Sequence, residues 1–164
     1  MIVVDTSALV TLSTAGTVEI VSEEFDVHTT QTVISELSST AEYRDIHGKA
    51  AEKVLEFSSG ITVHGTEDLD FESSRVDRGE ASCAVLTRQK EFEFLVSDDL
   101  RAVPELQNLS DAKLVISPVL LKALVKREVL GKEKSKEIVE EMAENRDWLG
   151  SPIYRKAKRI FEDE

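Results

Sequence analysis

Cysteine is almost missing from this chain: Cys83 is the only one among 164 residues. No disulfide can form within the chain, and a reducing cytoplasm is the expected setting. A zinc centre built from Cys and His is also excluded on this reading, because His28, His47 and His64 stand isolated in the sequence. Cys83 falls between Ala81 and Ala84 in an expected helix, which suits a small packing residue better than a reactive thiol. Glycine and proline are scarce, at 7 and 3 residues, too few for a linker or a disordered tail. No apolar run approaches the roughly 20 residues that cross a bilayer. The opening Met1-Ile2-Val3-Val4 stops at Asp5 without a basic leader, so a soluble protein with no secretory signal and no membrane partner is expected. Basic residues are outnumbered, 20 Lys and Arg against 32 Asp and Glu, for a net charge of −12. Phosphate binding is driven by Lys and Arg, so a nucleic-acid ligand here requires a local basic strip or metal ions that neutralise the acids.

What is present alternates. Ile2-Val3-Val4, Phe25-Asp26-Val27, Ile61-Thr62-Val63, Phe94-Leu95-Val96 and Leu114-Val115-Ile116 are short apolar runs, suited to strands buried on both faces of a parallel sheet. Between them, residues 32–37, 49–57 and 80–89 carry apolar residues at helical spacing. Ser117-Pro118 reads as a cap and first turn for a helix over 119–127. Further helices are expected over 132–144 and from Ser151-Pro152 to near Phe161. Alternation of this kind predicts βαβ units in a three-layer α/β fold. The expectation is one domain over 1–164, a central parallel sheet flanked by helices, with extra C-terminal helices from about 132.

The chemistry-bearing residues are acids at the ends of these elements, where an α/β sheet gathers its functional groups. Asp5 closes the first strand, and Asp98 and Asp99 close a later one. Glu36 lies in Val33-Ile34-Ser35-Glu36-Leu37 among residues that want burial, and Glu80 opens a helix in Asp77-Arg78-Gly79-Glu80-Ala81. Carboxylates gathered in such places repel one another and resist burial. A hard divalent cation resolves that conflict, and an all-oxygen donor set selects Mg²⁺ or Mn²⁺. Each acid also has an ordinary reading. Asp5 serves as a turn residue, Glu36 as a solvated helix residue, Glu80 as a complement to a helix N-terminus, and Asp98-Asp99 as a turn.

Taken together, these segments resemble the PIN-domain family. The matching features are an apolar strand ending in Asp5-Thr6-Ser7, the apolar pair before Glu36, the Ala-rich helix headed by Gly79-Glu80-Ala81, and Val96-Ser97-Asp98-Asp99. The run Ile116-Ser117-Pro118-Val119-Leu120-Leu121-Lys122-Ala123-Leu124 is similar to one branch of that family. The likeness covers Met1 to Leu130. It implies a PIN-like fold and a ribonuclease using Mg²⁺ or Mn²⁺. It also implies that Asp5, Glu36, Glu80 and one of Asp98 and Asp99 are catalytic metal ligands, with Asp99 fitting the pattern slightly better. Thr6 or Ser7 is then placed to hold a water or orient a carboxylate, and Asp77 and Asp111 are outside candidates. The substrate is RNA, in either a toxin-type role with an antitoxin-like protein partner or an RNA-processing role; a homodimer is compatible with both. The alternative is a PIN-like module that binds RNA or protein with little or no catalysis.

Other α/β families fit less well. A haloacid-dehalogenase-like phosphatase needs a second Asp where Ser7 stands, and a phosphorelay receiver needs its acidic pair beside the first strand. A dinucleotide-binding fold needs a Gly-rich turn that Asp5-Thr6-Ser7-Ala8 lacks. Arg75, Arg78, Arg88 and Arg101 flank the acidic motifs and are the candidates to meet phosphates. The Arg155-Lys156-Ala157-Lys158-Arg159 cluster reads as a solvated helix face.

Overall fold

The computed structural model describes residues 1–65 and 77–162. Five strands, β1 (Ile2–Val4), β2 (Val27–Thr30), β3 (Thr62–His64), β4 (Phe94–Val96) and β5 (Lys113–Val115), form one sheet in the order β3-β2-β1-β4-β5. Every pairing is parallel, with Val3 opposite His28 and Val4 opposite Val96. Helices α1 (Thr6–Thr14), α2 (Val18–Glu24), α3 (Gln31–Thr40), α4 (Ile46–Glu56), α5 (Arg78–Gln89), α6 (Val103–Leu109), α7 (Pro118–Lys126), α8 (Lys132–Asn145) and α9 (Pro152–Glu162) flank it. The α/β fold with a central parallel sheet is therefore as the sequence predicts. Buried apolar side chains run from Ile2 in β1 to Phe161 in α9. Among the described residues no helix is long and apolar enough to cross a membrane.

Several elements depart from the sequence reading, each for a physical reason. Helix α1 carries no amphipathic stripe because residues 8–13 are all buried, and a helix wrapped by protein on all sides has no polar face to mark its period. It packs between α4 and α8. Helix α6 begins with Pro104 in its first turn, a position where proline is tolerated but which the sequence reading leaves as loop. Strand β2 lies two residues later than Phe25-Asp26-Val27. Its buried Thr29 donates to the Val4 carbonyl at 2.8 Å, and Thr30 shares a 2.6 Å hydrogen bond with Ser82. Satisfied hydroxyls let a polar segment lie inside a sheet.

The strand order reverses at β1: β2 and β3 lie to one side, β4 and β5 to the other. A crevice opens outside the carboxyl ends of β1 and β4 at such a switch point. Asp5 follows β1 directly, and Ser97-Asp98-Asp99 follows β4. The topology thus brings two of the sequence-selected acidic segments side by side.

Candidate active site

Asp5 is fully buried and caps α1: its Oδ1 accepts from the Ala8 amide at 3.0 Å and the Ser7 hydroxyl at 2.8 Å. The Ser7 hydroxyl in turn accepts from the Asp98 amide at 3.0 Å, stitching the end of β1 to the end of β4. The other Asp5 oxygen, Oδ2, is buried with no hydrogen-bond partner. Ser97 is near enough to favour the anion, yet its hydroxyl makes no geometrically sound bond to Oδ2. Burial pushes the Asp5 pKa up to about 7, against the pull of Ser97, Ala8 and Ser7 and with a further push from Asp98. A buried carboxylate oxygen without a donor is costly.

Glu80 is buried at the start of α5, where Asp77 is the N-cap. The Glu80 amide donates to Asp77 Oδ1 at 2.8 Å, and the Asp77 amide donates to Glu80 Oε2 at 3.2 Å. The ordinary role foreseen for Glu80 is to complement a helix N-terminus; the structure shows it at that terminus as part of a reciprocal capping box. That role does not settle the residue's electrostatics: burial raises its pKa, and so do the charges of Asp5, Asp77 and Asp99. Glu36, on α3, reaches across to the same helix end. Its Oε1 accepts from the Gly79 amide at 2.8 Å and its Oε2 from the Thr6 hydroxyl at 2.6 Å. Burial and Asp77 raise its pKa.

The closeness of Glu36 explains Gly79. A Cβ at this position would lie 2.4 Å from both Glu36 carboxylate oxygens. In an open helix, alanine for glycine stabilises by roughly 1 kcal/mol. Here Gly79→Ala should instead destabilise the protein by about 1–3 kcal/mol, because the Glu36 carboxylate must leave the α5 amide. Denaturant melts read the sign directly, and a stabilised variant would show that Glu36 is not held there.

The acidic pair after β4 divides its labour. Asp98 is buried and turns both oxygens to Ser117, accepting from its amide and its hydroxyl at 2.7 Å each. Ser117 therefore holds Asp98 and does not cap α7, contrary to the sequence reading. Burial raises the Asp98 pKa against those two donors. Asp99 accepts from the Arg101 amide at 3.1 Å and faces a cleft. Asp98→Asn should cost about 1–2 kcal/mol, since the two bonds to Ser117 lose their charge assistance even when its hydroxyl turns to accept from the new NH₂, whereas Asp99→Asn should stay within about 0.5 kcal/mol of wild type. Melting curves showing the reverse order would exchange the two roles.

The cleft has a volume of about 420 Å³ and is lined by Thr6, Glu36, Asp77, Glu80, Asp98 and Asp99 together with Arg101, His47 and Arg146. A neighbouring groove of about 610 Å³, which includes Arg78, shares Glu36 and Asp77 with it. Glu36, Glu80, Asp98 and Asp99 thus meet in one place, above the buried Asp5. Among the described residues, no group of three or more Asp, Glu, His or Cys side chains forms a ready-made metal centre. Glu36 and Asp98 are already engaged by protein donors. Mg²⁺ typically takes only one or two carboxylates and keeps several waters. Two of Asp5 (through its orphan Oδ2), Glu80 and Asp99 binding directly, and the third through a retained water, would suit that mode, and all are oxygen donors.

Other sequence candidates fall elsewhere. Asp111 and the exposed Arg88 line a groove with Met1 and Glu93, at the amino ends of β1 and β4 and so at the opposite end of the strands from the cleft. Arg75 lies outside the described residues. Arg155, Lys156, Lys158 and Arg159 are exposed along α9. Cys83 is fully buried and burial holds its thiol well above the usual range, in keeping with a packing role. The histidines are not all isolated: His28 Nε2 pairs with Asp26 at 2.9 Å, and His28 Nδ1 with His64 Nε2 at 2.8 Å, across neighbouring strands 36 residues apart. The two rings bond to each other rather than converge on a third ligand. Arg146 and His47 are the cleft residues that the sequence reading misses. Arg146 ends a Glu-rich helix and looks locally like a cation complementing its C-terminus.

A family model described as PIN domain matches residues 1–163. No curated protein and no solved structure matches the chain.

Proposed function

Because the chain belongs to the PIN-domain family, whose members are generally nucleases that use divalent metal ions, we propose that it is an endoribonuclease dependent on Mg²⁺ or Mn²⁺. The observation that carries this reading is the fully buried Asp5 with its unpartnered Oδ2, set beside Glu80 and Asp99 at the switch point of the sheet. A module that only bound RNA or protein would gain nothing from desolvating an unpaired carboxylate oxygen.

In this reading Asp5, Glu80 and Asp99 hold the cation, and Glu36, fixed by Thr6 and Gly79, orients the water that remains around it. Asp98 keeps the end of β4 in place through Ser117. A bound divalent ion supplies an acidified water and a counter-charge for the departing oxygen of an in-line displacement. The protein's part is to keep these oxygens fixed and poorly solvated, so that little reorganisation is needed when the phosphodiester arrives.

The test is incubation of purified protein with a mixed pool of single-stranded RNA in Mn²⁺, in Mg²⁺ and in chelator. Internal cleavage with either metal, abolished by chelator, is the expected outcome. Intact RNA in all three, at enzyme concentrations matching the RNA, removes the reading.

A further inference from the structure

Among the described residues, Arg146 is a cation placed near acids without an ion pair to any of them. It follows the last residue of α8 and lines the same cleft as Glu80, Asp98 and Asp99. Its backbone amide donates to the Met142 carbonyl at 2.9 Å. The preceding residue is bolted in place on two sides: the Asn145 side chain donates to the Thr14 carbonyl of α1 at 3.2 Å, and His47 Nε2 of α4 donates to the Asn145 carbonyl at 3.2 Å. Three helices therefore converge to fix where this guanidinium enters.

The guanidinium itself is only partly satisfied. Its Nε is buried with no hydrogen-bond partner, and Arg146 makes no ion pair with a carboxylate among the described residues. Asp98 and Asp5 act on it as nearby charges, while burial works against its cationic form. Arginine stays charged in proteins and offers a rigid fork of donors that matches a phosphate's oxygens. A half-buried fork that lines a cleft of carboxylates without an ion pair to any of them, among the described residues, is ready for an anion that arrives together with neutralising metal.

We propose that Arg146 grips the phosphate of the RNA strand being cut. The proposal rests on the nuclease reading and adds to it a residue of the same cleft that touches the substrate. It also accounts for how a chain of net charge −12 can engage RNA in an acidic cleft: one fixed guanidinium acts where the bond is broken. Arg101, by contrast, is exposed and already shares Asp99.

Single-turnover cleavage of an end-labelled single-stranded RNA pool in saturating Mn²⁺, at several salt concentrations, tests it. The variants are Arg146→Ala, Arg146→Lys and, as a control, Arg88→Ala in the groove at the amino ends of β1 and β4. Melting temperatures identify which variants are folded. Arg146→Ala should lower the maximal rate by about a hundredfold, the usual cost of one preorganised donor at a transition state. It should also weaken half-saturation and flatten its salt dependence by about 0.7 in log–log slope, the share of one neutralised phosphate on a single strand. Arg146→Lys keeps the charge and should restore the salt slope without restoring the maximal rate. Arg88→Ala should match wild type. Should Arg146→Ala fail to fold, Arg146→Lys decides alone, and an undiminished maximal rate in it overturns the proposal. A folded Arg146→Ala that matches wild type in rate and slope also overturns it while leaving the nuclease reading intact. A wild type that does not cleave removes both.

Discussion

Asp5→Asn should lower metal-dependent RNA cleavage by at least about a hundredfold, about 2.7 kcal/mol of lost transition-state stabilisation. The substitution is nearly isosteric and can retain one oxygen for the Ala8 amide and the Ser7 hydroxyl, which bond Oδ1. What changes is the other atom, the buried Oδ2, which has no hydrogen-bond partner among the described residues. The loss of activity should therefore come without loss of fold. Glu80→Gln should act in the same direction, but it also touches the capping box with Asp77, so its melting temperature must be read beside its rate. Asp99→Asn should cost at least about tenfold in rate with little effect on stability. Equal cleavage by wild type and Asp5→Asn, from preparations of equal purity, would assign the activity to a contaminant.

In chelator, stability should fall as pH rises from about 4 to about 7. The sign follows from proton linkage. Asp5 has its pKa raised from 3.8 to about 7 in the folded protein, so within this window the folded state holds a proton that the unfolded chain has released. Stability then decreases with pH, and the contribution present below the unfolded value is lost as pH passes the folded one. For Asp5 alone the full change is on the order of 4 kcal/mol. Glu36, Glu80 and Asp98 are shifted the same way. General repulsion in so acidic a chain works in this direction too, so the comparison with Asp5→Asn isolates the site: its denaturant midpoint should vary less between pH 5 and pH 8. A wild-type stability that rises over this range, as for carboxylates held by donors or cations, would contradict the placement of Asp5.

The acids at the strand ends were legible because sequence and topology coincide there. β1 and β4 are short apolar runs, with Asp5 directly after the first and Asp98 one residue beyond the second, and any parallel sheet delivers such residues to the carboxyl end of its strands. Glu80 was legible as the acid that opens an Ala-rich helix, a local pattern, whereas its capping box with Asp77 appears only in the structure. The division between Asp98 and Asp99 was not, because it depends on Ser117, 19 residues away. Nor could α1 be seen, since its period is erased by burial on every side. Thr29 and Thr30 hid the true β2 because their partners lie in other segments. Arg146 was the least visible, as its neighbourhood is assembled by α1, α4 and α8 through Thr14, His47 and Asn145. What the sequence conceals in each case is a long-range partner.

The claim that Asp5 and its neighbours are built around a divalent cation can be tested without any substrate. Wild type and Asp5→Asn are melted at pH 7.5 in chelator and across a series of Mn²⁺ concentrations. Without metal, Asp5→Asn should be at least as stable as wild type, because it removes a buried, unpaired negative charge. With Mn²⁺ the wild-type melting temperature should climb steadily, by mass action on the folded state, while that of Asp5→Asn should move far less. If Asp5→Asn is destabilised in chelator and both proteins respond equally to Mn²⁺, Asp5 is an ordinary helix cap and the cation site does not lie there.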